Sequence, residues 1–489
     1  MSDNGLFEKL ASAAVGLDVN YDLANGQRTK RVYLDSTASS LRLQVVEDTL
    51  TKFQPYYSNT HSVLHFGAKL STSEYKWTHG MVLDFLNANP ENHTAFFVGS
   101  GTTAGINRVA RALREKRPDR EVVITSIMEH HSNDLPHRKH FPQVVHVPAE
   151  MAKKSIGRIH MDRLKEALEE HGDNVNYVAI TGVSNVTGII NPIHEIAELA
   201  HAHGALVVVD AAQMAAHLPI QMSGNDNPAH DLDVVIFSGH KIYAPGSPGV
   251  VVTRKDLFEG VEPQDVGGGM VDDVYLNRYM IMDAFPDREE AGTPNIPGAI
   301  GLAASLYALN RVGMEKVAEE EDAIIRYTIG QLSQIPDVII YGESDCDACE
   351  RAGAVSFNVR GVDHAMTAAV LNDYFNIAVR NECFCAHPYV REMITEVLAE
   401  ESDDLSDEEI ERLADLHRGM VRASFGIYNT KADVDLLAEA LRDLVEKREH
   451  YEGLYERLDS GDYAHKTFKF DHARLFSVKG AVDGWLGDG

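Results

Sequence analysis

From Val32 to about Ile300 the chain alternates short, unbroken apolar runs with longer segments of helical periodicity. Runs predicted as strands are AFFVG (Ala95–Gly99), EVVITS (Glu121–Ser126), VVHVP (Val144–Pro148) and YVAITGV (Tyr177–Val183). ALVVVD (Ala205–Asp210), DVVIFSG (Asp233–Gly239) and VVVT (Val250–Thr253) follow. Helical spacing occupies Thr103–Arg114, Met161–His171 and Pro192–His203 between them. Continuous apolar runs fit strands buried on both faces, and helices between such strands predict an α/β fold with a largely parallel, doubly wound sheet. In that architecture ligands sit beyond the carboxyl ends of the strands, so chemistry is sought in the residue just after each run. A helix near Gly298–Val312 leads into a second region where runs such as AVSFNV and RASFGIYN alternate with helices in an α+β manner. The boundaries read are an N-terminal arm (1–30), a large domain (31–309), a smaller C-terminal domain (310–450) and a C-terminal extension (451–489).

Composition narrows the picture. With 489 residues, 44% of them apolar, the chain has ample material for a packed core. No stretch reaches the roughly 18 consecutive apolar residues of a membrane span, and acidic Asp3 and Glu8 stand where a signal peptide needs basic residues. A cytoplasmic protein is expected. The net charge of −29 repels nucleic acid and anionic lipid, so neither is expected as a partner. Four cysteines do not make a disulfide scaffold, yet they fall in two close pairs, Cys346/Cys349 and Cys383/Cys385.

Three strand ends carry candidate chemistry. Gly99-Ser100-Gly101-Thr102-Thr103 lies between a strand and a helix, where backbone N–H groups and the helix N-terminus can hold a phosphate; it also reads as an ordinary strand–helix connection. Asp210 ends an apolar run, which sets a carboxylate at the sheet edge where burial demands a cationic partner; a helix cap is the plainer reading. Lys241, in Ser238-Gly239-His240-Lys241, follows another buried strand. A phosphate anchor, an anion for a pyridinium nitrogen and an amine for a Schiff base are the three parts that pyridoxal 5′-phosphate (PLP) chemistry needs.

These residues resemble the class V aminotransferase group of fold-type I PLP enzymes, in particular its cysteine desulfurase/selenocysteine lyase branch. The resemblance spans Val32–Val445 and rests on motifs in family order: YLDSTAS (Tyr33–Ser39), SNTHS (Ser58–Ser62), GTTAGIN (Gly101–Asn107), MEHHSN (Met128–Asn133), SNVTG (Ser184–Gly188), VDAAQ (Val209–Gln213), SGHK (Ser238–Lys241), AGTPN (Ala291–Asn295) and RASFGIYNT (Arg422–Thr430). It implies a mostly parallel seven-stranded sheet in the large domain. It also implies that Lys241 holds the cofactor and moves the Cα proton, that Asp210 pairs with the ring nitrogen, and that Gln213 and Asn185 meet its phenolate side. His130 would stack on the ring, with His131 the second choice; Thr102, Thr103, Ser238 and His240 would hold the phosphate. Thr293 would reach the phosphate site of a neighbouring subunit, so a homodimer is implied. Arg422 would clamp the substrate carboxylate, with His61 a further pocket residue.

In that branch a cysteine of the small domain takes the substrate's sulfur as a persulfide and passes it to an acceptor, a protein being one candidate. AVRNECFCAHP (Ala378–Pro388) aligns Cys385 with that nucleophile, and an extended loop would turn Cys383 and Cys385 to the same side. Cys383 and His387 depart from the family's pattern. A four-thiolate metal site is arithmetically possible but would consume Cys385; no metal is expected. A second departure is an acidic insertion over residues 388–420: within Arg391–Asp415 there are 11 acidic and 2 basic residues, and Ser406-Asp-Glu-Glu409 is a capping box that predicts a helix start. The expected activity is conversion of L-cysteine to L-alanine. The alternative is another class V reaction (an aminotransferase, an amino-acid epimerase or a C–S lyase) in which Cys385 is incidental.

Overall fold

The computed structural model describes residues 3–401, 406 and 419–487. Seven strands form the central sheet: β1 (His93–Val98), β2 (Val122–Ser126), β3 (Gln143–Val147), β4 (Val175–Thr181), β5 (Leu206–Asp210), β6 (Val234–Ser238) and β7 (Gly249–Arg254). Their spatial order is β1-β7-β6-β5-β4-β2-β3, and only β7 runs antiparallel to its neighbours. Every apolar run read as a strand in this region is one, within two residues at each end.

The period-2 geometry of a strand explains the unbroken apolar runs. Ala95, Phe97, Val207, Val209, Val235 and Phe237 join a core on one face, and the alternate residues Phe96, Val98, Val208, Val234 and Ile236 join a separate core on the other. Each such side chain stabilises the fold by roughly 1.5–3 kcal/mol on burial, and a slip of one residue would send each strand's side chains into the other core. The crossover helices include α1 (Gly101–Lys116), α2 (Met161–His171) and α3 (Ile193–Ala202).

Helix α4 (Ile296–Val312) runs into α5 (Met314–Leu332) through Gly313, and α5 enters a second core. There a four-stranded antiparallel sheet has the order β8-β9-β11-β10, from β8 (Val338–Ile340), β9 (Ala354–Val359), β10 (Arg380–Glu382) and β11 (Met420–Ser424). Val355, Phe357, Val421 and Ala423 pack there against Ile325 of α5 and against Val434 and Leu437 of α6 (Lys431–Glu446). The short strand Val32–Tyr33, which the sequence groups with the large unit, pairs with Ile377–Ala378, and Val32 and Leu34 pack in the second core. The first residues of the YLDSTAS motif therefore lie between the two cores, over the site.

Residues 455–457 and 463–465 form a small hairpin, with Tyr455 packed in the second core, and a helix covers Val478–Leu486. The first part of the acidic insertion is helical, His387–Glu401. The helix start expected at Ser406 lies outside the described residues, apart from Ser406 itself. No helix among the described residues is long and apolar enough to cross a membrane.

Candidate active site

Adjacent parallel strands β5 and β6 end at Asp210 and Ser238, and one turn of 3-10 helix, Gly239–Lys241, carries Lys241 back over that edge. The Asp210 carboxyl is buried, which raises its pKa; the Ala212 N–H, 2.9 Å from Oδ1, and the Lys241 charge act the other way. Burial brings the Lys241 amine down to about 8, despite the opposing pull of Asp210, and Arg422 lowers it further. An amine so placed loses its proton far more readily than an ordinary lysine, which makes it a better nucleophile.

Beside this pair the chain turns from β1 into α1. Gly101 adopts φ +58, and a Cβ there would stand 2.6 Å from Ser238 Oγ, so the position needs glycine. The Thr102 N–H donates to Ser238 Oγ at 2.8 Å, and the two hydroxyls lie 2.7 Å apart. Thr103 Oγ1 and Ser132 Oγ are 2.6 Å apart, and His240 Nδ1 is 3.3 Å from Ser39 Oγ. Thr102, Thr103, Ser132, Ser238 and His240 line a cavity of about 780 Å³. Such a group is suited to a phosphate.

His130 also lines the cavity. Its Nδ1 accepts the Ser132 N–H at 3.0 Å, which puts the ring proton on Nε2. Burial, with Lys241 and His131 adding, lowers this imidazole to about 4. It is therefore neutral and able to lie flat against an aromatic ring. Below it Glu129 accepts from Ser126 Oγ (2.6 Å), Asn133 Nδ2 (2.6 Å) and the Thr181 N–H (3.2 Å). Burial nonetheless lifts Glu129 to about 8.

Cys385 sits on a turn, which corrects the expectation of an extended loop, and both Cys383 and Cys385 line the cavity. Phe384 (φ 50) and Cys385 (φ 56) both occupy the left-handed region, and the Ala386 N–H closes onto the Cys383 carbonyl at 2.9 Å. This matches a type I′ turn, which usually calls for Asn or Gly at both central positions. Two side-chain-bearing residues there store roughly 1–3 kcal/mol each. The surroundings hold the turn in place: Asn185 Nδ2 donates to the Phe384 carbonyl at 2.8 Å, and the His131 N–H to the Cys385 carbonyl at 2.7 Å. The Phe384 ring lies 4.6 Å from the Arg422 guanidinium carbon. Cys385 is exposed, whereas Cys383 is half-buried, and Cys385 is among the charges that act on both Lys241 and Arg422.

Arg422, on β11, is almost fully buried; its Nη1 donates to the Asn185 carbonyl at 2.7 Å and its Nη2 lies 3.6 Å from Asp35. Burial lowers its pKa to about 10. Its Nε has no hydrogen-bond partner among the described residues.

Thr102, Thr103, His130, Asn185, Asp210, Gln213, Ser238, His240, Lys241, Cys385 and Arg422 all line this one cavity. Two of them have unexpected partners: Asn185 donates to the Phe384 carbonyl, and Gln213 Nε2 donates to the Thr37 carbonyl at 3.0 Å. His61 and Thr293 do not line it. They are exposed, His61 against Gly269 and Thr293 3.3 Å from Asn59. Sequence reasoning missed Asp35, Glu129 and the pairing of Cys383 with His387. Asp35 and Glu129 lie inside the motifs YLDSTAS and MEHHSN, so their signal was present. Among the described residues no group of three or more His, Cys, Asp or Glu is placed to hold a metal ion. Cys346 and Cys349 are buried thiols whose pKa burial raises.

The residues fit PLP on this structure's own terms: a desolvated carboxylate for a ring nitrogen, a softened amine, a glycine-dependent hydroxyl cradle and a neutral imidazole wall. Fold and site together define a fold-type I PLP enzyme. The chain belongs to the aminotransferase class-V family, whose sequence model matches residues 32–437. It is 33% identical over 424 residues to a probable cysteine desulfurase of Halalkalibacterium halodurans, covering 86% of this chain and 94% of that protein. It is 32% identical over 420 residues to a cysteine desulfurase of Klebsiella pneumoniae, covering 86% and 94%. Its structure is similar to that of a cysteine desulfurase from Thermococcus onnurineus NA1 solved in an apo state (TM-score 0.72, 29% identity, 85% of this chain and 95% of that one). A cysteine desulfurase from Escherichia coli in an S-sulfonic acid form gives a TM-score of 0.69 at 28% identity, with 85% and 95% covered.

Proposed function

We propose that this protein is a cysteine desulfurase that converts L-cysteine to L-alanine and carries the sulfur as a persulfide on Cys385. The observation that carries the reading is an exposed cysteine on a strained, pinned turn facing the cavity that holds Lys241, Asp210 and Arg422. A C–S lyase or aminotransferase has no use for a thiol held at that point.

Lys241, Asp210, His130 and the Thr102/Thr103/Ser238/His240 cradle would hold PLP, which supplies an electron sink that makes the substrate Cα–H acidic. Asp210 would pair with the ring nitrogen. Arg422, which lines the cavity, receives the substrate carboxylate through its guanidinium. This fixes Cα toward Lys241, whose amine takes the Cα proton. Cys385, as thiolate, attacks the substrate Sγ. The new S–S bond forms as the Cβ–Sγ bond breaks, the electron pair stays with the carbon skeleton, and protonation there completes alanine. One sulfur atom moves and no external oxidant is needed.

A homodimer is part of the proposal. His61 and Thr293 lie on two segments in contact with each other, which also expose Leu64, Phe66 and Leu276. A second copy covering these residues would bring Thr293 to its partner's phosphate cradle. The sulfur acceptor is a thiol, on a small molecule or a protein, and the acidic charge supports a cytoplasmic enzyme with neither nucleic acid nor membrane as partner.

The test is product analysis of the PLP-loaded protein with L-cysteine under a reductant. Alanine and sulfide should appear in equal amounts, and Cys385→Ser should abolish both sulfide release and persulfide labelling. Full sulfide release from Cys385→Ser would reject the persulfide route and favour a lyase.

A further inference from the structure

The cavity holds a second thiol with its own proton partner. Cys383 Sγ is 2.9 Å from His387 Nε2, and His387 Nδ1 is 2.9 Å from His131 Nε2. The two imidazoles lie parallel with centroids 4.8 Å apart. His131 in turn donates its backbone N–H to the Cys385 carbonyl. The chain Cys383–His387–His131 thus wraps the same turn that carries Cys385, and all four residues line the cavity. Both nitrogens of His387 are engaged, so its two tautomers describe two states of the chain. In one, the thiol gives its hydrogen to Nε2 and Nδ1–H donates to His131. In the other, Nε2–H donates to a thiolate and Nδ1 accepts from His131.

Neither histidine is needed by the chemistry assigned to Lys241, Asp210 and Arg422. The Cys383 thiol is held up by burial first, with the nearby Cys385 and Glu382 charges adding. A thiol in those surroundings reacts only when a base takes its proton.

We propose that Cys383 is a second sulfur-carrying thiol, which takes the sulfane sulfur from Cys385 with His387 as its proton acceptor. The inference rests on the desulfurase reading above. His387 Nε2 removes the Cys383 proton, and the thiolate attacks the outer sulfur of the Cys385 persulfide. A Cys383–sulfur bond forms as the bond from that sulfur to Cys385 Sγ breaks. Cys385 leaves as a thiolate and regains a proton from His387. One S–S bond replaces another, so no oxidant or reductant enters. The result is that Cys385, beside Lys241 and Arg422, is freed for a second turnover while the first sulfur waits on half-buried Cys383 beside exposed His387.

The experiment is a rapid-quench measurement of alanine per site for the PLP-loaded full chain with L-cysteine and no acceptor or reductant. Tandem fragmentation of the Asn381–Arg391 tryptic peptide then locates the sulfur. The wild type should give a burst of about two alanines per site, one sulfur on each thiol; Cys383→Ser should give about one, on Cys385 alone. His387→Gln keeps both thiols and should make the second alanine about a hundredfold slower, the low end for loss of a positioned proton acceptor. Sulfur confined to Cys385 in the wild type, as one atom or two, overturns the relay and leaves the desulfurase reading standing. A Cys383–Cys385 disulfide with released sulfide also overturns it, because attack would then be on the inner sulfur. No burst and no sulfur on either thiol overturns the relay together with the desulfurase reading.

Discussion

The Arg422 guanidinium carbon stands 4.6 Å from the centre of the Phe384 ring, so the proposed substrate clamp and the turn that carries Cys385 share a contact. The same arginine donates to the carbonyl of Asn185, whose side chain pins the Phe384 carbonyl. A substrate carboxylate drawn to Arg422 therefore lands beside the nucleophile's own support.

Arg422→Ala should weaken amino-acid binding by about 1.5–3 kcal/mol, the size of a charge-assisted hydrogen bond. Arg422→Lys should restore little of it, because an ammonium cannot keep the Asn185 carbonyl and also offer a planar pair of donors. Titrating the cofactor spectrum with L-cysteine measures the loss, and cofactor binding itself should survive. Lost cofactor with unchanged amino-acid affinity would make Arg422 a purely structural residue.

The purified protein should be yellow, and borohydride should fix the cofactor to it covalently. Lys241→Ala should abolish both properties, since no other lysine among the described residues lines the cavity beside Asp210. A wild type that stays colourless after PLP is added would refute the cofactor assignment for this chain.

Asp210→Asn should keep the fold and lose most turnover. The amide retains an oxygen for the Ala212 N–H, so the local turn survives, but a neutral group no longer stabilises a protonated ring nitrogen. Circular dichroism checks the fold and alanine release the activity. Undiminished turnover would reduce Asp210 to a turn-capping residue.

Glu129, beneath His130, gives a pH signature. Its folded pKa of about 8 lies above the ordinary 4.5, so the folded protein holds a proton that the unfolded chain releases in between. The stability from this group is fully present below 4.5 and is lost as pH rises through about 8. Glu129→Gln, which mimics the protonated carboxyl, should remove that loss. Urea unfolding midpoints of the two proteins at about pH 6.5 and about pH 8 measure it: the wild type should decline more between those values than the variant. Equal declines would show Glu129 to be ionised in the folded state.

The sequence by itself determined the sheet and the polar residues at its edge. Strands buried on both faces must be apolar at every position, and chain direction in a parallel sheet puts the residues after each run on one edge. Asp210, Ser238 and Lys241 were legible for that reason, and Gly101 because a helix entry at close range admits no side chain. Contacts between segments far apart in the chain were decided only by tertiary structure. Val32 and Leu34 pack in the second core because residues 32–33 pair with 377–378, more than three hundred residues away. The left-handed turn at Phe384–Cys385 contradicts the local preference of both residues. It is held by Asn185, His131 and Arg422, which no spacing within Ala378–Pro388 could announce. The pairing of Cys383 with His387 belongs to the same class: it depends on a helix beginning at His387 directly after that turn, which swings the imidazole back onto the thiol four residues before it.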